Sequence, residues 1–139
     1  MDHVAIMRKS WGLLPKILSG EKTIESRWYK NKSAPWGKIK TGDTIYFKNT
    51  GEPVTVKVKV KGVKQIENLN PVMVREILEK YGKEGGIDDI QKYNEMFKDK
   101  KYCLLIFLDK PGKIKPFEIN KKGFGAMAAW MSDIKVSFP

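Results

Sequence analysis

Gly20-Glu21-Lys22-Thr23-Ile24-Glu25-Ser26-Arg27 places a turn-forming glycine, a lysine, a carboxylate and an arginine within eight residues, in the spacing G-x-K-x-x-E-x-R. Just upstream, residues 12–19 read as a short helix, with Ser10 as a candidate N-cap and Gly20 as its C-terminal stop. Pro15 falls in the first turn or so of that helix, where proline is tolerated. Thr23 to Trp28 then reads as a strand. Alternate side chains of a strand share a face, so Thr23, Glu25 and Arg27 point one way and Ile24 and Ser26 the other. Glu25 and Arg27 are then about 7 Å apart, two strand rises, and are placed either to pair or to face one ligand. Lys22 sits at the mouth of the strand, where its long side chain can swing into a cleft. A lysine becomes a base or nucleophile at neutral pH only when desolvation or nearby cations lower its pKa. A neighbouring carboxylate does the opposite, so Lys22 reads as an electrostatic anchor or oxyanion stabiliser. The competing reading is an ordinary surface Lys–Glu–Arg network.

Downstream of the signature, residues 29–43 read as a loop and Thr44 to Lys48 as a second strand, followed by a turn at Asn49-Thr50-Gly51. Val54 to Val60 alternates strictly, valines on one face and Thr55, Lys57 and Lys59 on the other, which is the period of a half-buried strand. Its lysine face is either a phosphate grip or a solvated face with edge-protecting charge. Asn70-Pro71 caps and opens a helix carrying Val74, Ile77, Leu78 and Tyr81, with Gly82 at its end. After Gly85-Gly86 a second helix runs from about Asp88 to Phe97, its apolar face made of Ile90, Tyr93 and Phe97. Tyr102 to Leu108 is a continuous apolar run, expected as a strand buried on both faces; Pro111-Gly112 should turn the chain into a last strand near Ile114 to Ile119. Gly125 to Met131, rich in small residues, is expected to form a short C-terminal helix. The sum is an α+β fold: one small mixed barrel of five to six strands with a helical insert over about 70–100.

The 139 residues suit one domain with one core, spanning 1–139. No apolar run approaches the roughly 18 residues of a membrane span. The N-terminal stretch has no signal-peptide pattern and there is one cysteine, so a cytoplasmic location is expected. The formal charge of +11 is uneven: residues 1–69 hold 14 basic and 6 acidic groups, residues 70–101 hold seven of each, and residues 102–139 hold six and three. A basic body with a neutral helical insert suits a polyanionic partner, or a lysine-rich surface that serves solubility. Cys103, inside the buried run, reads as an inert core thiol. His3 is the single histidine, so no zinc-ligand spacing arises and a Ser–His–acid triad would have to use it. Neither a metal nor a cofactor is expected.

Several ordered motifs resemble the ASCH domain family of the PUA-like β-barrels. They are Met7-Arg8-Lys9-Ser10-Trp11 before the helix, Ile17 to Arg27 as the signature, Lys40-Thr41-Gly42-Asp43 before the second strand, and Tyr102 to Phe107 as the late hydrophobic strand. The match covers about residues 4–108; residues 109–139 extend beyond the shorter members. The resemblance implies a PUA-like barrel whose signature lines a cleft for RNA or modified nucleosides. Arg8, Lys9, Gly20, Lys22 and Arg27 are then the binding candidates. Trp28, Tyr29 and Trp36, interleaved with Lys30, Lys32 and Lys38, join them as stacking rings, unless they cover the barrel mouth instead. One branch of the family looks like an amidohydrolase of acylated cytidines. That alternative makes Lys22, Glu25 and Glu84 the catalytic candidates, with Glu25 standing where the branch has threonine. A third reading is a protein–protein adaptor using the helical insert. The sequence specifies no base and no oligomeric state.

Overall fold

Val54, Val56, Val58 and Val60 do bury one face of a long strand, and the sheet is built around it. A computed structural model describes residues 1–121, 123–124 and 128–134. The strands are β1 (Asp2–Met7), β2 (Ile24–Tyr29), β3 (Thr44–Asn49), β4 (Val54–Ile66), β5 (Tyr102–Phe117) and β6 (Trp130–Ser132). The helices are α1 (Leu13–Ser19), α2 (Pro71–Tyr81) and α3 (Ile90–Phe97), with a 3-10 turn over Lys9–Trp11. The strands form one curled sheet in the order β2-β5-β4-β3-β1-β6. β1 runs parallel to β3, and the other pairs are antiparallel. The concave side encloses Ala5, Phe47, Val56, Val58, Leu104 and Ile106, closed by Leu13, Leu14 and Ile17 of α1. On the other side, α2 and α3 cover Ile24, Trp28, Cys103 and Leu105 with Val74, Ile77 and Leu78. β2, which carries the signature, is therefore an edge strand flanked by α1 before it and the helical insert over it.

Local chemistry explains most boundaries. The Asn70 side chain accepts from the Met73 N–H at 2.9 Å and Pro71 opens α2, as its sequence predicts. Asp89 caps α3 by accepting from the Lys92 N–H at 3.0 Å, which moves the start two residues past the expected Asp88. Gly20 ends α1 at φ +82°, a conformation only glycine adopts at no steric cost. The expected Ser10 cap is not used. Ser10 lies in the 3-10 turn, and the residue before α1 is Gly12 at φ +61°, with no side-chain cap.

Two expectations are corrected, and one strand joins the sheet without a sequence signal. β1 has no turn signal around it; it exists because it bonds β3 on one side and β6 on the other. Pro111-Gly112 does not divide two strands. β5 continues through it, because the irregularity is absorbed as a bulge between Lys57↔Gly112 and Lys59↔Asp109, where a proline without an N–H is tolerated. The expected C-terminal helix is not formed where it can be seen: residues 125–127 lie outside the described residues, and Trp130 and Met131 belong to β6. Pairing with β1 buries both to 6% exposure or less, and that tertiary gain outweighs the helix propensity of the preceding alanines.

A caged ion triad beneath an aromatic cleft

The signature folds into a buried ion cage. The turn after α1 delivers Lys22 into the interior, where it is 2% exposed. Its ammonium donates to the carbonyl of Ile24 at 2.7 Å and to that of Gly85 at 2.6 Å, and meets Glu25 Oε1 at 3.2 Å. Three acceptors match the three N–H donors of an ammonium. The other carboxylate oxygen, Glu25 Oε2, accepts from Arg27 Nη2 at 2.9 Å and Nε at 3.3 Å. Glu25 is 4% exposed. Burial pushes its carboxyl up, but Lys22 and Arg27 outweigh burial and hold it below the usual carboxylate range. Lys22 therefore does not swing into a cleft, and the triad is not a surface network. Arg27 Nη2 also lies 3.3 Å from Met7 Sδ, and the guanidinium sits 5.0 Å from the centre of the Trp130 ring.

Above this cage lies a cleft of about 200 Å³, lined by Met7, Arg8, Trp11, Glu25, Arg27, Trp28 and Phe97 among others. It adjoins a smaller hollow of about 50 Å³ that reaches Lys22, Gly86 and Tyr93 and shares Trp11, Glu25 and Phe97 with it. Trp11 meets Tyr93 edge-on at 6.1 Å, and Arg8 lies 4.9 Å over the Trp11 ring. A carboxylate and a guanidinium thus stand at the base of an opening walled by rings.

The sequence-derived candidates divide between places. Arg8, Lys22, Glu25, Arg27 and Trp28 meet at this cleft and hollow. Trp28 is 9% exposed; one face stacks on Phe97 at 4.8 Å, and its indole N–H donates to Ser26. Lys9 is exposed and paired with Glu52 at 2.8 Å. Tyr29 and Trp36 lie apart from the cleft. The Tyr29 hydroxyl donates to the Ala34 carbonyl, and burial pushes it up to about 12. Trp36 packs edge-on against Tyr102 beside Lys32. Gly20 lines a different groove, and so does exposed Glu84. The Glu84 carbonyl receives the N–H groups of Thr23 and Ile24, so this loop and the start of β2 form a partition with the cage on one side and the Glu84 carboxylate on the other. Sequence reasoning missed Trp11, quoted only within a motif, and Tyr93 and Phe97 of α3. The i, i+4 spacing of the last two marked an apolar face, but α3 has no fully buried residue and that face borders the cleft.

His3, the single histidine, is fully buried. Its Nε2 lies 2.8 Å from Asp43 Oδ2 and its Nδ1 2.9 Å from the Ser132 hydroxyl. The Trp130 indole, which only donates, points at the same Nδ1 at 3.1 Å, so Nδ1 accepts and Nε2 donates to Asp43. None of the cavities described is lined by these groups. They clamp β6 and the turn before β3 onto β1. Cys103 is buried, which pushes its thiol up to about 12. Among the described residues no cluster of His, Cys, Asp and Glu is suited to a metal, and no helix is long and apolar enough to cross a membrane.

Among the described residues, this curled mixed sheet of six strands with three helices is the ASCH fold. The ASCH protein from Zymomonas mobilis shares it at a TM-score of 0.66 and 18% identity, over 94% of this chain and 85% of that one. A variant of that protein with one serine replaced by alanine aligns at 0.67 and 19%, over 94% and 86%. No protein-family model and no curated protein matches the sequence.

Proposed function

We propose that this chain binds RNA or a modified nucleoside, with one unstacked base entering the cleft above the Lys22–Glu25–Arg27 cage. The observation that carries this reading is the pairing of a polar base with aromatic walls. The buried, ionised Glu25 offers an acceptor, Arg27 offers donors, and Trp11 and Phe97 offer ring faces at an opening of about 200 Å³. Single-stranded RNA is recognised through such features, by stacking on rings and by hydrogen bonds to base edges. The net charge of +11, concentrated in residues 1–69, supports attraction of the phosphate backbone.

Two features favour binding over hydrolysis of an acylated cytidine. All three Lys22 donors are engaged, and a lysine so held has no lone pair for attack. Glu25 is held below the usual carboxylate range, whereas a general base works best with a pKa near the working pH.

A fluorescence titration with single-stranded RNA and with free nucleosides, from low to physiological salt, tests the proposal. Trp11→Ala should weaken single strands by about 1–3 kcal/mol, the worth of one stacked base, and duplex far less. Absence of binding at low salt rejects the reading, and so does acyl-group release from acetylated cytidine by the wild-type protein.

A further inference from the structure

Two bulges in the β4–β5 pair turn lysines into a groove distinct from the cleft, although Lys22 borders both it and the hollow beside the cleft. Between Val60↔Leu108 and Gly62↔Phe107, Lys61 is the extra residue on β4. Between Lys57↔Gly112 and Lys59↔Asp109, β5 carries the extra residue, and Lys110 there adopts φ +50°. A lysine in the left-handed region is strained, and bulges re-aim side chains out of strand alternation. Both re-aimed lysines line one concavity. It has a hollow of about 350 Å³ that includes Lys61, Lys80, Tyr81 and Phe107, and an adjoining hollow of about 380 Å³ that includes Lys61 and Lys110. The hollows share Thr23, Lys61 and Leu108. Lys64 adds a fourth cation, 5.8 Å from the Tyr81 ring centre, with Lys80 at 5.3 Å. Lys61, Lys64, Lys80 and Lys110 make no ion pair among the described residues, although Glu84 and Asp109 also border the groove. This contrasts with Lys9, Lys32 and Lys98, each of which is paired.

We infer that this groove is a second binding site, one that takes the sugar–phosphate backbone of a single-stranded nucleic acid, with Lys61, Lys80 and Lys110 on phosphates and Tyr81 against a base or sugar. A concave track suits a strand rather than a flat membrane. Lysine, a mobile point charge, suits phosphate without reading sequence. The inference extends the cleft proposal, since the groove supplies the length-dependent part of RNA affinity and the cleft the base-dependent part.

The test is binding of a fluorescein-labelled single-stranded RNA of about 12 nucleotides, within the site size of small single-strand binders. It compares wild type, the triple variant Lys61→Gln/Lys80→Gln/Lys110→Gln, the single reversal Lys80→Glu, and Trp11→Ala. Each lost phosphate contact removes about 0.7 from the log–log salt slope of a single strand, so the triple variant should lower the slope by about 2. Its affinity should fall roughly 10- to 100-fold at about 0.1 M salt, with nucleoside binding in the cleft unchanged. Lys80→Glu should move in the same direction, and circular dichroism melts should match wild type. An unchanged slope and affinity in the triple variant overturns the groove while leaving the cleft reading intact. Loss of RNA binding in the triple variant, with none in Trp11→Ala, keeps the groove and removes the cleft. A wild type that ignores the oligonucleotide, or binds only anionic phospholipid vesicles, overturns the groove.

Discussion

Lys22→Met keeps the side-chain length and removes the charge, so it tests whether the signature is a buried cage. The change leaves Glu25, 4% exposed, with Arg27 alone, and strips the carbonyls of Ile24 and Gly85 of donors at 2.7 and 2.6 Å. Removing one partner of a buried ion pair costs about 3–5 kcal/mol; Arg27 still compensates part of the Glu25 charge, while the two buried carbonyls left without a donor add about 1–3 kcal/mol each. The expected loss is therefore about 3–5 kcal/mol, or roughly 10–15 °C in Tm for a domain of this size. The assay is urea unfolding of wild type, Lys22→Met, Glu25→Gln and the double variant. The double variant should be less damaged than the two single losses summed, with a coupling of about 1–3 kcal/mol. The sign with pH follows from Glu25. Its carboxyl is depressed in the fold, so the stability it contributes is present above its unfolded value and is lost as pH falls through the folded one. The Lys22→Met penalty should accordingly shrink in acid. A Lys22→Met protein within about 1 kcal/mol of wild type at neutral pH would refute the cage, since exposed pairs have that worth.

Two further outcomes follow from the same geometry. Gly86 adopts φ +77°, and a Cβ there would stand 3.3 Å from Leu13 Cδ2 and from Lys22 Cδ; Gly86→Ala should lose about 1–3 kcal/mol by thermal melting and loosen the cage. Cys103, with its thiol pushed up to about 12 and buried under α2 and α3, should resist iodoacetamide at neutral pH until the protein is unfolded in urea.

Local chemistry made much of this molecule legible. The alternation of Val54 to Val60, the Asn70-Pro71 cap and the Gly20 stop each act through neighbours in sequence, so each could be read directly. The signature's strand, read as Thr23 to Trp28 and found as Ile24–Tyr29, was readable for the same reason. What could not be read depends on partners far along the chain. The cage is closed by the Gly85 carbonyl, 63 residues from Lys22. β1 exists through β3 and β6, β6 through β1, and His3 is held by Asp43 and Ser132, 40 and 129 residues away. Pro111-Gly112 looked like a turn because the same residues serve a bulge, and only register with β4 separates the two. Tyr93 and Phe97 looked like core because a half-buried ring at a cleft wall has the same helical spacing as a buried one.

The central claim is that a base seats above the cage, between Trp11 and Phe97. The direct measurement is a nitrogen-15 NMR titration of the wild-type protein with single-stranded RNA at low salt. The account predicts the largest shifts at the backbone amides of Arg8, Trp11 and Glu25 to Arg27, at Phe97, and at the Trp11 indole N–H. Shifts confined to the distant Trp36–Tyr102 surface, or none at saturating RNA, would contradict it.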